Sequence, residues 1–179
     1  MDSYLDIHVR PQAELSSTVL MSSLFGEIHK ALVSRSSNTT GVSFPKADVH
    51  LGGTLRLHDE ETVLVQLIES AWLKRASDYY RVDAPRPVPE HDQWLSVRRK
   101  QPSISAAKLR RMMARGNLKQ EEAERLLSQK QKLDHPYVQL TSTSTGQKFR
   151  LFVEQTKCER PKFKQEFNSY GLGGVVPLF

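Results

Sequence analysis

What most constrains this chain is a hydrophobic period that switches between two and four along its first 80 or so residues. Leu5, Ile7 and Val9 alternate with Tyr4, Asp6 and His8, which puts three aliphatics on one face of a strand that ends at Pro11. From Ser17 to about Arg35 the period lengthens. Leu20, Leu24, Ile28 and Leu32 recur every four positions with Met21 and Phe25 beside them, the stripe of an amphipathic helix. A polar loop over residues 34–41 leads to two short strand patterns, 41–45 and 54–58, separated by a segment holding Pro45, Gly52 and Gly53. Asp59 then stands where an N-cap belongs, ahead of a second helical stripe of Val63, Leu64, Leu67, Ile68, Ala71 and Trp72. Residues 79–82 form the next strand pattern. The expected class is α+β, in the order strand, helix, strand, strand, helix, strand. That is the ferredoxin-like (RRM-like) βαββαβ arrangement, an antiparallel sheet with two helices on one face.

The segment Ala84-Pro85-Arg86-Pro87-Val88-Pro89 is expected to break regular structure. The predicted organisation is a ferredoxin-like domain over 1–84, a Pro-rich linker over 85–93 and a second domain over 94–179. Within the latter, residues 94–100 read as a strand. A helix capped by Ser103 or Ser105 runs to Arg115 and stops at Gly116-Asn117, and a further helix covers 119–132 with Ala123, Leu126 and Leu127. Residues 137–143 and 147–155 alternate as a hairpin turning near Ser144-Thr145-Gly146. The tail 175–179 follows a glycine-rich loop and adds an edge strand or packs down.

Charge narrows the partner. Between Gln93 and Gln120 stand eight basic residues, Arg98, Arg99, Lys100, Lys108, Arg110, Arg111, Arg115 and Lys119, and no carboxylate. The whole chain carries +6, so the remainder sums to −2. On a helical wheel Lys108, Arg111 and Arg115 share one side with Arg110 at its margin, opposite Ala106, Leu109, Met112 and Met113. Solvated helix faces usually mix signs for i,i+4 pairing, and this one does not. It is expected to contact nucleic acid. Trp94 is the one aromatic in the stretch, whereas single-strand binders interleave aromatics for base stacking, so the composition favours a folded, phosphate-dense target. With one cysteine, Cys158, the chain has no disulfide framework and no thiolate zinc site. The N-terminal Met-Asp-Ser-Tyr-Leu-Asp lacks a basic n-region and an apolar h-region. No stretch approaches the roughly 18 apolar residues of a membrane span. A soluble cytoplasmic protein is expected, without a membrane partner.

For chemistry, six histidines are available: His8, His29, His50, His58, His91 and His135. None has metal-ligand spacing and no acidic cluster resembles a two-metal nuclease, so no metal or other cofactor is expected. The remaining route to phosphodiester cleavage uses the substrate's own 2′-hydroxyl, with a histidine accepting its proton, and works on RNA only. His29 sits beside the apolar stripe of the first helix, a place that equally suits a half-buried histidine with a local hydrogen bond. Ser142, Ser144 and Thr145 also fit strand-end and turn hydroxyls, and Tyr170 before Gly171 fits a packed loop aromatic.

Taken together, several short motifs resemble those of the CRISPR repeat-processing endoribonucleases of type I-F systems. They are Leu24-Phe25-Gly26-Glu27-Ile28-His29-Lys30-Ala31-Leu32, Gly41-Val42-Ser43-Phe44-Pro45, and Arg99-Lys100-Gln101-Pro102 leading into Lys108-Leu109-Arg110-Arg111. The series continues with Ser142-Thr143-Ser144-Thr145-Gly146-Gln147-Lys148-Phe149-Arg150-Leu151-Phe152, Ser169-Tyr170-Gly171-Leu172 and the Val-Pro-Leu-Phe end. Each motif is weak alone; their order and spacing over the whole chain make the set specific.

The resemblance implies an arginine-rich helix that enters the major groove of a repeat hairpin RNA. It implies metal-free cleavage at the 3′ base of the stem, leaving a 2′,3′-cyclic phosphate and a 5′-hydroxyl. By the same likeness His29 is the general base. Ser142, with Ser144 as its competitor, holds the ribose for in-line attack, and Tyr170 orients His29 or the ribose. Arg99 and Gln101 read base edges, Lys108, Arg110, Arg111 and Arg115 hold phosphates, and Phe149 stacks on the terminal base pair. Met112, Ala114 and Gly116 interrupt the arginine series here, which shifts weight onto Arg98, Arg99 and Lys100. The implied partners are the CRISPR repeat hairpin (crRNA) and the other subunits of the type I-F surveillance complex, in which the protein stays on its product. A non-catalytic RNA-hairpin-binding module on the same scaffold is the alternative; a metal-dependent defence nuclease, inhibited by EDTA, is a further rival.

Overall fold

The computed structural model describes residues 1–69, 73, 78–101, 106–128, 133–142 and 145–179, without the side chains of 106–108 and 127–128. The first half holds β1 (Ser3–Val9), α1 (Ser17–Ser34), β2 (Gly41–Ser43), β3 (Thr54–Asp59), α2 (Glu61–Ile68), β4 (Tyr80–Val82) and β5 (Arg86–Pro87). The second holds β6 (Gln93–Lys100), α3 (Ala106–Ala114), α4 (Gln120–Ser128), β7 (Tyr137–Thr141), β8 (Lys148–Cys158) and β9 (Val175–Leu178). This is a mixed α+β fold with antiparallel sheets.

The first sheet runs in the order β2-β3-β1-β4, with β5 also paired to β1. Registers run from Ser3 opposite Asp59 to His8 opposite Thr54, and from Ile7 opposite Val82 to Val9 opposite Tyr80. The period of two buries Leu5 and Ile7 completely. The other face of β1 is covered too, because the Arg56 guanidinium grips Asp6 at 2.7 and 2.9 Å and lies over the rings of Tyr4 and Phe179. A delocalised cation can stack and pair at once, and that combination keeps Asp6 inside.

Helix α1 is capped by Ser16, whose Oγ accepts from Val19 N–H, and it buries Leu20, Met21, Leu24, Phe25, Ile28 and Leu32 as the four-residue spacing predicted. Asp59 is not the cap of α2. It ends β3, its carboxylate taken by Thr39 and Thr40 (3.0 and 2.5 Å), and Glu60 stands at the N-cap without a side-chain bond. The prolines also depart from expectation. Arg86 and Pro87 pair with Tyr4 and Ser3 as β5, and Pro87 tolerates this because a two-residue edge strand asks little of its missing N–H.

The second sheet runs β7-β8-β6-β9, so the tail is an edge strand on β6. Its inward residues Val97, Val138, Leu151, Val153 and Val176 join those of the first sheet and α1 in one continuous core. Gln155 seals the join by accepting from Phe44 N–H (2.8 Å) and donating to Phe44 O (3.0 Å).

Strands β1–β5 precede residue 88 and β6–β9 follow residue 92, so the Pro-rich segment separates the sheets along the chain. Compactness divides the molecule elsewhere. Residues 1–99 and 135–179 form one unit and residues 100–134 another. In the smaller unit α3 packs on α4 with Leu109 and Ala123 buried, and Gly116 at φ +73° closes α3. The expected cap Ser103 or Ser105 and the end of the last helix, 129–132, lie outside the described residues. Among the described residues no helix is long and apolar enough to cross a membrane.

Candidate active site

His29 projects from α1 one residue past buried Ile28, where the stripe meets the surface. Its Nδ1 lies 2.7 Å from the carbonyl oxygen of Ser169, 140 residues away. A carbonyl only accepts, so Nδ1 carries the hydrogen and the neutral ring keeps its lone pair on Nε2. The ring stacks on Tyr170 at 3.9 Å between centroids and 14° between planes, and Phe25 extends the stack beyond Tyr170 at 6.1 Å and 3°. The imidazole is therefore held in tautomer and in plane.

The loop that supplies both contacts is itself pinned. Asn168 Oδ1 accepts from Tyr170 N–H (2.9 Å) and Leu172 N–H (3.2 Å), an Asx-type turn, and Gly171 N–H returns to Asn168 O at 2.8 Å. Gly171 sits at φ +71° against β2, where its carbonyl takes Val42 N–H at 2.8 Å. A Cβ at that position would collide with Val42 Cγ2 and come within 3.2 Å of the Thr40 carbonyl. Glycine is required by both conformation and space.

His29 and Tyr170 line an open groove of about 930 Å³ together with Ser142, Phe149, Glu27, Lys30 and Lys148. Helix α1 forms one wall and packs against β7 of the hairpin, whose Gln139 N–H donates to Ser22 Oγ (3.0 Å). At the hairpin end Ser142 N–H donates to Gln147 O (2.9 Å), Gly146 N–H to Ser142 O (2.8 Å) and Thr145 N–H to Ser142 Oγ (3.3 Å). Phe149 lies at the start of β8 with the Arg99 guanidinium 5.9 Å from its ring centroid. Glu27, the groove's one carboxylate among the described residues, is bound by Lys30 at 2.6 Å.

The sequence-predicted site residues thus divide. His29, Ser142, Tyr170 and Phe149 come together in one groove. Ser144 lies outside the described residues. Arg98 and Arg99 are exposed on β6; Gln101, Arg110, Arg111 and Arg115 are exposed in the unit 100–134, and the Lys108 side chain is not described. Of the other histidines, His8 bonds Thr54 and Asp83, His135 faces Glu154, His91 meets Pro89 O, His50 is exposed and His58 is buried. Burial, with Arg56 and His91 adding positive charge nearby, lowers the His58 pKa to about 3. Asp6, His8 and Asp83 form the one group among the described residues with metal-ligand proximity, their donor atoms within 4.8 Å. Guanidinium groups already answer it, Arg56 on Asp6 and Arg86 and Arg81 on Asp83, so it reads as an ion-pair network.

Sequence reasoning missed the Ser169 carbonyl, the Asn168 turn, Glu27, Lys30 and Lys148. Asn ahead of Ser-Tyr-Gly is a turn signal, and Glu27 and Lys30 sit at i,i+3 around His29; a carbonyl leaves no mark in a sequence.

Residues 4–179 match the family described as CRISPR-associated protein (Cas_Csy4). The chain is 39% identical over 99% of its length to a CRISPR-associated endonuclease Cas6/Csy4 of Escherichia coli (strain UTI89 / UPEC), of which it covers 98%. It is also 39% identical to a CRISPR-associated endonuclease Cas6/Csy4 of Pseudomonas aeruginosa (strain UCBPP-PA14), with both chains covered in full. A crystal structure of the CRISPR RNA processing endoribonuclease Cas6b aligns over 99% of this chain and 100% of its own at 15% identity and a TM-score of 0.34, too remote to bear on the fold. Full-length identity of this order, on a chain whose motif residues converge in one groove, shows that it belongs to the Cas_Csy4 family of CRISPR-associated proteins.

Proposed function

We propose that this protein is a CRISPR RNA processing endoribonuclease that cleaves precursor RNA at the 3′ base of the repeat hairpin. The relatives named as CRISPR-associated endonucleases support the class, and the His29 geometry supports the reaction. His29 Nε2 takes the proton of the 2′-hydroxyl. The 2′-oxygen attacks the adjacent phosphorus, and the bond to the 5′-oxygen breaks. That oxygen leaves and takes a proton from water, giving a 2′,3′-cyclic phosphate and a 5′-hydroxyl end, and the imidazolium later returns its proton to solvent. On proton uptake the ring becomes imidazolium, and its Nδ1–H···O=C bond to Ser169 strengthens as a charge-assisted contact. The step needs no metal, because the nucleophile is already on the substrate.

Ser142 holds the ribose in line, with Ser144 the competing hydroxyl, and Tyr170 orients the base by stacking. Phe149 receives the terminal base pair at the groove's edge. Arg98, Arg99 and Gln101 contact the stem, while Lys108, Arg110, Arg111 and Arg115 hold its phosphates. The ferredoxin-like reading of 1–84 is supported by the order β2-β3-β1-β4 with α1 and α2 in the crossovers. With 85–93 as linker, 94–179 is the RNA-binding part. The protein works in the cytoplasm and remains on the processed crRNA as a subunit of the surveillance complex.

The observation that carries the reading is the Nδ1–Ser169 bond, which leaves Nε2 as the base in the groove. Purified protein should cut a repeat-hairpin RNA in EDTA. A 2′-deoxy sugar at the cut position should abolish cutting while binding is nearly unchanged. Cutting of the deoxy substrate would sink the mechanism, and binding without any cutting of the all-ribose RNA would leave a non-catalytic hairpin-binding module.

A further inference from the structure

In-line attack on a phosphodiester concentrates negative charge on the non-bridging oxygens of the five-coordinate transition state. Sites that run such steps aim fixed positive charge or strong donors at those oxygens. Resting on the reading above, the three side chains given a part in the step do not supply that partner. His29 is neutral when it begins to act as base, and Ser142 and Tyr170 bring no charge.

Among the described residues, the fixed charges lining the groove are Glu27, Lys30 and Lys148. Lys30 and Glu27 pair at 2.6 Å on one helix face and cancel each other. Lys148 has no ion-pair partner among the described residues, so the net positive charge of the groove is its ammonium. Its backbone is well placed. It opens β8 opposite Thr141 and directly follows Gln147, the residue whose carbonyl accepts from Ser142 N–H at 2.9 Å. The residue proposed to hold the ribose and the cation therefore straddle one hairpin end, locked by the same hydrogen bonds.

We infer that Lys148 is a further catalytic residue of this groove, its ammonium stabilising the phosphorane charge during cleavage. An ammonium on a four-carbon stem tracks a phosphate as a point charge, without the planar geometry an arginine imposes.

The test is single-turnover cleavage of saturating, fully bound hairpin RNA by the full chain, with affinity measured in parallel for Lys148→Met and Lys148→Arg. The expected result is a cleavage rate constant about 10²-fold lower for the methionine variant, affinity changed by less than about threefold, and most of the rate restored by arginine. Weaker binding with an unchanged rate constant would overturn the inference and make Lys148 a backbone grip. Equal losses in both variants would overturn it too, since charge would then not matter. His29→Ala serves as the separating control. If it cuts at the wild-type rate, the base reading itself fails, whereas an unaffected Lys148→Met beside an inactive His29→Ala removes only the lysine.

Discussion

His29 and His58 are the same side chain put to opposite ends by their surroundings. Both sit on elements of the common core, yet His29 leans out of α1 into a groove, whereas His58 lies wholly buried in β3 with Nε2 on Ser43 Oγ at 2.8 Å. His29 has Nδ1 tied to a main-chain oxygen and its ring on the wall of an open groove, the place proposed for the substrate. His58 has one nitrogen on a hydroxyl and Nδ1 without a partner among the described residues. Burial beside Arg56 and His91 makes charging His58 so costly that its pKa falls to about 3. The difference teaches that a histidine's task here is decided by what bonds its second nitrogen and whether water reaches it.

The sharpest way to break the comparison is to remove the ring proposed as the base. His29→Ala is expected to lower the single-turnover cleavage rate by about 10²–10⁴, with little change in RNA affinity, measured on bound hairpin. An activity within tenfold of wild type would place the base elsewhere.

The second effect concerns the silent ring. With a folded pKa near 3 against an unfolded value of 6.5, the unfolded chain binds the extra proton, so stability falls as pH drops through the window from about 6.5 to about 3. Between pH 7 and pH 4 this group should account for about 3 kcal/mol of lost stability, read from denaturant melts at the two pH values. His58→Leu should be less stable at pH 7 through loss of the Ser43 bond, yet its decline on acidification should be shallower by that amount. Parallel declines in the two proteins would show that His58 is protonated in the fold.

The smallest expected effect sharpens how His29 is held. Gly171→Ala forces a side chain into the left-handed region and against Val42, which is expected to cost about 1–3 kcal/mol of stability. Any relief that moves the loop also moves the Ser169 carbonyl and the Tyr170 ring. Cleavage of bound RNA should therefore slow by about tenfold at temperatures where the variant is fully folded; a full rate there would uncouple the loop from the base.

Much of the scaffold was legible because local pattern and final packing agree. The alternation of Leu5, Ile7 and Val9 and the spacing of Leu20 to Leu32 placed β1 and α1 almost to the residue. Asp59 misled because it closes β3 one residue ahead of the cap: its Oδ2 is held by Thr39 and Thr40, and its Oδ1 reaches only the N–H of Glu60. β5 was hidden because prolines argue against strands and only the neighbouring β1 makes the two-residue pairing worthwhile. His29, Ser142, Phe149 and Tyr170 were named from motif likeness, and the groove brings the four together. What orients His29 was invisible, since a carbonyl at 169 and a ring at 170 meet helix α1 only after the chain has closed on itself.

The acceptor that sets the tautomer of His29 is a peptide oxygen, and a peptide oxygen belongs to no side chain. Almost any residue at position 169 brings the same oxygen, so drift there is silent for the His29 ring, and Ser169 itself is exposed. The constraint passes to neighbours that never face the groove: Asn168, which ties two N–H groups, and Gly171, which alone fits beneath Val42. Tolerance to substitution along residues 168–171 should therefore be saw-toothed, open at 169 and closed on either side, a pattern left by geometry rather than by any chemistry of its own.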